Sequence, residues 1–60
     1  MKITGIKRSN GDVMPVEPNI DVVEKGKTLC ETDTGAVMAV KELYGGWMSP
    51  ALQAEYVVAE

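Results

Sequence analysis

Few residues in this chain could do chemistry. Asp33 stands within Glu31-Thr32-Asp33-Thr34-Gly35-Ala36, Cys30 is the single cysteine, and Asp21 and Glu24 are the nearest other carboxylates before it. Proton transfer between carboxylates needs two of them sharing one proton, so that one accepts while the other donates. One Asp-Thr-Gly per chain could meet that requirement only in a symmetric dimer. The chain has no histidine, which removes Ser-His and Cys-His pairs and any imidazole metal ligand. Cys30 lies in an apolar-flanked segment beside Glu31, and a carboxylate neighbour offers no stabilisation to a thiolate, so it reads as a small core residue. Asp21, Glu24 and Asp33 lack the dense alternation of acids in a calcium loop, and Gly45-Gly46 lacks the lysine and further glycines of a phosphate cradle. The expectation is a non-enzymatic protein with no catalytic residue, cofactor or metal.

What remains is chemistry of contact. All three aromatic residues, Tyr44, Trp47 and Tyr56, fall in the last seventeen positions, and there is no phenylalanine. Tyr44, Trp47 and Met48, set about Gly45-Gly46, are the candidate protein-binding residues, because Trp and Tyr are enriched in interface hot spots. Trp47 has a second reading as the largest core residue, plugging one end of a small sheet. Lys2, Lys7 and Arg8 are the candidate nucleic-acid contacts. They read equally as the solvated face of an edge hairpin, where lysines discourage edge-to-edge pairing.

Charge limits that second possibility. The first eleven residues carry only Lys2, Lys7 and Arg8, whereas the rest hold nine acids against Lys25, Lys27 and Lys41, so the balance runs from +3 to −6 and the total is −3. A duplex-binding surface normally presents clustered lysine and arginine, so a monomer is not expected to bind nucleic acid. A dimer pairing two N-terminal segments could assemble a local basic patch. Sixty residues form one small domain, residues 1–60, that buries only about 60% of its unfolded surface. Such chains lean on a disulfide, a metal or a partner subunit, and with one cysteine and no histidine a homodimer is the remaining support. The unpaired thiol suits a reducing compartment, and no run approaches the ~18 apolar residues of a membrane span. The expectation is a soluble, cytoplasmic, acidic domain that does not enter membranes.

The elements that must position these residues are mostly hairpins. Lys2–Arg8 should pair with Asp12–Val16 across a type I′ turn at Asn10-Gly11, with a bulge at Gly5 because Ile3 and Ile6 do not share a face at period two. Pro15 and Pro18 interrupt the next stretch, leaving a helical turn near Pro18–Val22 or a short strand at Ile20–Val23, closed by Gly26. A second hairpin pairs Lys27–Thr32 with Ala36–Lys41 through a three-residue loop at Asp33-Thr34-Gly35, with a helix over Ala36–Tyr44 as the rival. Ser49-Pro50 reads as an N-cap with proline at the first helical position, giving a short helix over Ala51–Val58, with a short edge strand at Glu55–Ala59 closing the sheet as the alternative. The fold class expected is α+β and β-rich: a small curved sheet or SH3-like barrel of two hairpins with a short C-terminal helix.

Two resemblances bear on function. Asp33-Thr34-Gly35-Ala36 resembles the loop that carries the catalytic aspartate of the dimeric retroviral aspartic proteases. That family's motif follows an apolar strand, whereas Glu31 and Thr32 precede it here, and a hairpin turn is the reading adopted. MKITGIKR, Val13-Met14-Pro15 and Glu24-Lys25-Gly26-Lys27-Thr28-Leu29, followed by a Gly35-centred hairpin, resemble the swapped-hairpin DNA-binding domains of the AbrB and MazE type. That resemblance implies a dimeric regulator or antitoxin, with Lys7 and Arg8 facing DNA and the tail from Tyr44 binding a toxin. The leading expectation is a protein-binding module suited to the accessory or inhibitory roles that phage and mobile-element proteins play.

Overall fold

The computed structural model describes residues 1–60 and is built entirely of strands. β1 (Lys2–Lys7), β2 (Val13–Lys25), β3 (Thr28–Glu31), β4 (Val37–Lys41), β5 (Trp47–Ser49) and β6 (Ala54–Ala59) follow one another in an antiparallel meander. β6 returns to pair with β1 and closes the barrel. The small hairpin-built barrel is as expected, but the α+β class is corrected: there is no helix, and hence none long and apolar enough to cross a membrane.

The C-terminal helix fails for a local reason. Its cap forms as anticipated, with Ser49 Oγ accepting from Leu52 N–H at 3.2 Å, and Gln53 N–H donates to the Ser49 carbonyl at 2.8 Å. Gln53 then takes φ 53°, a left-handed geometry that ends the turn after one cycle. Ala54–Ala59 instead pairs on both sides, with β1 and β5. Two ladders outweigh two turns of helix that would be marginal alone. The strand alternative at the C-terminus was therefore the correct one, but it is paired on both sides within the barrel wall rather than lying at an edge.

β1 and β2 pair through Gly5↔Pro15, Ile6↔Met14 and Lys7↔Val13, and both ladders of β1 shift register between Ile3 and Gly5, where the bulge was expected. Gly5 is buried, and a Cβ there would lie 3.0 Å from the Met14 carbonyl oxygen and 3.4 Å from Val13 Cγ1. Backbone on one side cannot yield cheaply. Gly5→Ala should destabilise the protein by about 1–3 kcal/mol through overpacking, a shift readable as a lowered urea midpoint at constant m-value.

The proline-containing segment is strand rather than helical turn. Because Pro15 faces Gly5 while Ile20 faces Ile3, four residues of β2 stand against Thr4 alone, and the strand bends there. The bend lets one strand pair with β1 along its first part and with β3 through Val22–Lys25. The Glu17-Pro18 peptide in this bend is cis.

Turn chemistry sets the remaining corners. Gly26 at φ 62° opens a two-residue turn between Lys25 and Thr28, the type II′ pattern. At the first hairpin Gly11 N–H donates to the Arg8 carbonyl and Arg8 N–H to the Asp12 carbonyl, with only Gly11 at positive φ. This is a three-residue loop with a glycine bulge rather than the expected type I′ turn. Asn10 Oδ1 accepts from Asp12 N–H at 3.0 Å, which holds Asn10 in a right-handed turn.

Ile3, Val22, Leu29, Ala39, Trp47 and Tyr56 form the core, with Ile6, Val16, Ile20, Met38 and Val58 packed against it. Only nine of the sixty residues are buried, so each core side chain carries a large share of the stability.

Candidate functional site

The Asp-Thr-Gly turn is the simplest of the candidate sites to place. Thr32 to Gly35 cross from β3 to β4: Gly35 N–H donates to the Glu31 carbonyl and Glu31 N–H to the Ala36 carbonyl. The loop has one residue more than expected. Thr34 Oγ1 donates to Glu31 Oε1 at 3.3 Å and accepts from Ala36 N–H at 3.2 Å, so the hydroxyl ties the turn together. Asp33 is exposed and hydrogen-bonds to no second carboxylate. Position and partners alike are those of a hairpin turn.

The three N-terminal cations are not brought together. Lys2 lies at one end of β1 and Lys7 at the other, five residues or about 16 Å apart along an extended strand. Lys2 Nζ is 3.6 Å from Asp21 Oδ1, an exposed pair that contributes little to stability. Lys7 faces Glu55 across the β1–β6 ladder. Arg8 borders an open depression of about 420 Å³ with Ile6, Met14 and Leu52 on its walls. Lys7 and Arg8 border one further depression together with Glu55, away from Lys2.

The aromatic candidates separate. Trp47 is 7% exposed and belongs to the core, opposite Tyr56 on β6 and Lys41 on β4. The Lys41 ammonium sits 4.8 Å from the indole centroid, closing the ring from solvent with a cation–π contact. Met48 is half-buried on the opposite face of β5. Tyr44, by contrast, is 97% exposed, and its neighbour Leu43 is 87% exposed. Sequence reasoning missed Leu43, because neither the strand expected over Ala36–Lys41 nor its helical rival gave it a special place.

The turn explains how these two side chains are held outward. Glu42 N–H donates to the Gly46 carbonyl at 2.8 Å, Gly45 N–H donates to the Glu42 carbonyl at 3.1 Å, and Gly45 has φ 101°. This repeats the hydrogen bonding of the Arg8–Asp12 turn residue for residue. In that turn the two tip positions are Ser9 and Asn10, while here they are Leu43 and Tyr44. The geometry asks nothing apolar of the tip, and neither side chain reaches the core. Behind the tip lies an open groove of about 410 Å³ lined by Glu42, Tyr44, Gly45, Gly46, Met48 and Glu55. A Cβ on Gly46 would come within 2.7 Å of Glu55 Oε2, so the missing side chain makes room for that carboxylate to lie over the turn.

Cys30 is buried beside Thr28, whose Oγ1 is 3.7 Å from its Sγ, yet it stands outside the core group. No three His, Cys, Asp or Glu side chains converge as a metal-binding group. Set against protein families, curated proteins and solved structures, the chain matches none of them.

Proposed function

We propose that the chain is a small non-enzymatic protein-binding module whose contact is the Leu43–Tyr44 tip, with Met48 at its base. The observation that carries the reading is the near-complete exposure of two consecutive large apolar side chains on a turn that does not need them. A tyrosine spends little conformational entropy on binding and offers both apolar area and a hydroxyl. Glu42 and Glu55 flank the groove behind it, so the partner best suited is a protein with an apolar pocket rimmed by lysine or arginine. An acidic domain presenting one protruding contact suits an accessory or inhibitory role of the kind phages and mobile elements encode.

The test is capture from a lysate on the immobilised chain, run in parallel with Leu43→Ser/Tyr44→Ser. Hot-spot residues contribute about 2 kcal/mol or more each, so each single variant should bind its partner about thirtyfold more weakly and the double variant up to about a thousandfold. Its stability should stay within about 0.5 kcal/mol of the parent, as expected for surface positions. Identical captured proteins for parent and variant would exclude the tip as the contact.

A further inference from the structure

The open depression beside Arg8 lies where the first hairpin meets the turn between β5 and β6. Its volume of about 420 Å³ falls within the range of about 300–1,000 Å³ usual for ligand sites. Ile6, Met14 and Leu52 give it apolar walls, and Met14 and Leu52 remain 47% and 54% exposed. Arg8, Ser9 and Gln53 stand around it and no carboxylate does, in a chain with nine acids against six cations. Arg8 is left without a charged partner. Its backbone N–H and carbonyl are used in the first turn, but its guanidinium forms no ion pair. The carboxylates that the backbone sets nearby are engaged elsewhere: Asp12 Oδ2 accepts from Asn10 Nδ2 at 3.2 Å, and Glu55 lies over Gly46.

Gln53 supplies a separate observation. The other residues at positive φ are Gly11, Gly26, Gly35 and Gly45, whereas position 53 holds a glutamine at φ 53°. A side chain strains the backbone in this geometry and glycine does not. The Gln53 amide makes no hydrogen bond within the chain, so no internal contact offsets the strain. What the residue does is line the depression, together with an adjoining one of about 260 Å³ that shares Arg8, Ser9 and Gln53.

We infer that these adjoining depressions bind the C-terminus of a peptide whose last residue is apolar. Its α-carboxylate meets the Arg8 guanidinium and the Gln53 amide, and its last side chain lies against Ile6, Met14 and Leu52. Charge selects the carboxylate, because an unpaired guanidinium holds one through charge-assisted hydrogen bonds. The apolar walls select the last side chain, whose burial removes area from water on both partners. A peptide fits better than a free acid. The second depression continues past Arg8 and Gln53 and is bordered by Lys7 and Glu55, which gives the preceding residue both space and polar partners. The site differs from the Leu43–Tyr44 tip, neither residue of which lines it.

Titration of the isotope-labelled chain with acetyl-Ala-Ala-Leu, its carboxylate free, should shift the magnetic resonance signals of Arg8, Leu52 and Gln53 with a dissociation constant below about 1 mM. The same peptide as its C-terminal amide should bind at least about tenfold more weakly, and Arg8→Gln should weaken binding of the free acid as much, since each removes the charge-assisted pair. The amide arm uses the parent chain, so it decides even where a variant fails to fold. Gln53→Gly should bind severalfold more weakly yet melt no lower than the parent, because glycine relieves the left-handed geometry. N-acetyl-leucine, which lacks the preceding residues, should bind more weakly than the peptide. No shift up to about 10 mM peptide overturns the proposal, as do equal affinities for acid and amide. A Gln53→Gly chain that binds as the parent does, or that melts below it, overturns the role given to Gln53, and N-acetyl-leucine binding as tightly as the peptide overturns the peptide in favour of a free acid. The titration needs no lysate and is read at Arg8 and Gln53, so its failure and the failure of capture through Leu43 and Tyr44 are separate results.

Discussion

Trp47→Ala should cost about 3–5 kcal/mol, the usual range for removing a buried aromatic residue, and leave the barrel largely unfolded at 25 °C. A 60-residue domain has a total stability of only about 3–9 kcal/mol. Trp47 joins β4 to β6 across β5, which is three residues long and has little else to hold it. Without the indole, Lys41 also loses the ring it covers. Thermal unfolding followed by circular dichroism checks the result, since the variant has no tryptophan left to report. If binding were Trp47's role rather than packing, the variant would keep its melting temperature and lose only a partner. Emission from the parent protein offers a companion observation: a 7% exposed indole should fluoresce well to the blue of free tryptophan and shift red on unfolding.

The second large effect separates two adjacent residues. Leu29→Ala should cost about 2–5 kcal/mol, whereas Cys30→Ala should cost less than about 1 kcal/mol. Both are buried, Leu29 completely, but they occupy opposite sides of β3. Leu29 faces Ala39 in the middle of the core, where a cavity cannot collapse without moving the wall. Cys30 stands outside the core group and beside Val23 and Val37 on the outer face. Urea unfolding of both variants at the same protein concentration gives the comparison. Equal losses would mean that β3 is packed equally on its two sides within one chain.

The two hairpins turning at Gly11 and Gly35 were legible because turn chemistry is local. Gly11, Gly26, Gly35 and Gly45 all take the positive φ that ends or opens a turn, and glycine adopts it without the steric cost that a side chain would pay. The bulge at Gly5 was legible too, because Ile3 and Ile6 conflict at period two. The C-terminal helix misled for the same local reason. Ser49-Pro50 does build a cap, but whether a capped turn continues depends on what the next residues can pair with. Here the pairing partners were β1 and β5, forty or more residues away in the case of β1.

The candidate contact was only half readable. Tyr44 and Trp47 look alike in sequence as aromatics beside Gly45-Gly46, and no pattern says which one a strand will turn inward. Side chains alternate at period two from wherever the strand begins, and the turn from Glu42 to Gly46 sets that starting point. Leu43 carried no signal of its own. The outer face of β2–β5 did leave one: Val37-Met38-Ala39-Val40 has no polar position, which reads as burial on both sides. The barrel buries one side, and on the other Val37 and Val40 stay exposed.

By itself, then, the sequence determined the chemistry that is out of reach without histidine, the positions of the Gly11 and Gly35 hairpin turns, and the amount of apolar material available for a core. These depend on composition and on contacts a few residues long. The tertiary structure alone decided that the chain closes on itself, that Trp47 belongs inside and Tyr44 outside, and that the last segment is strand. Closure and the last strand depend on the pairing of β6 with β1, a contact between the two ends of the chain whose gain appears only when the whole wall is assembled, while Trp47 turns inward where β5 pairs with β4 and β6.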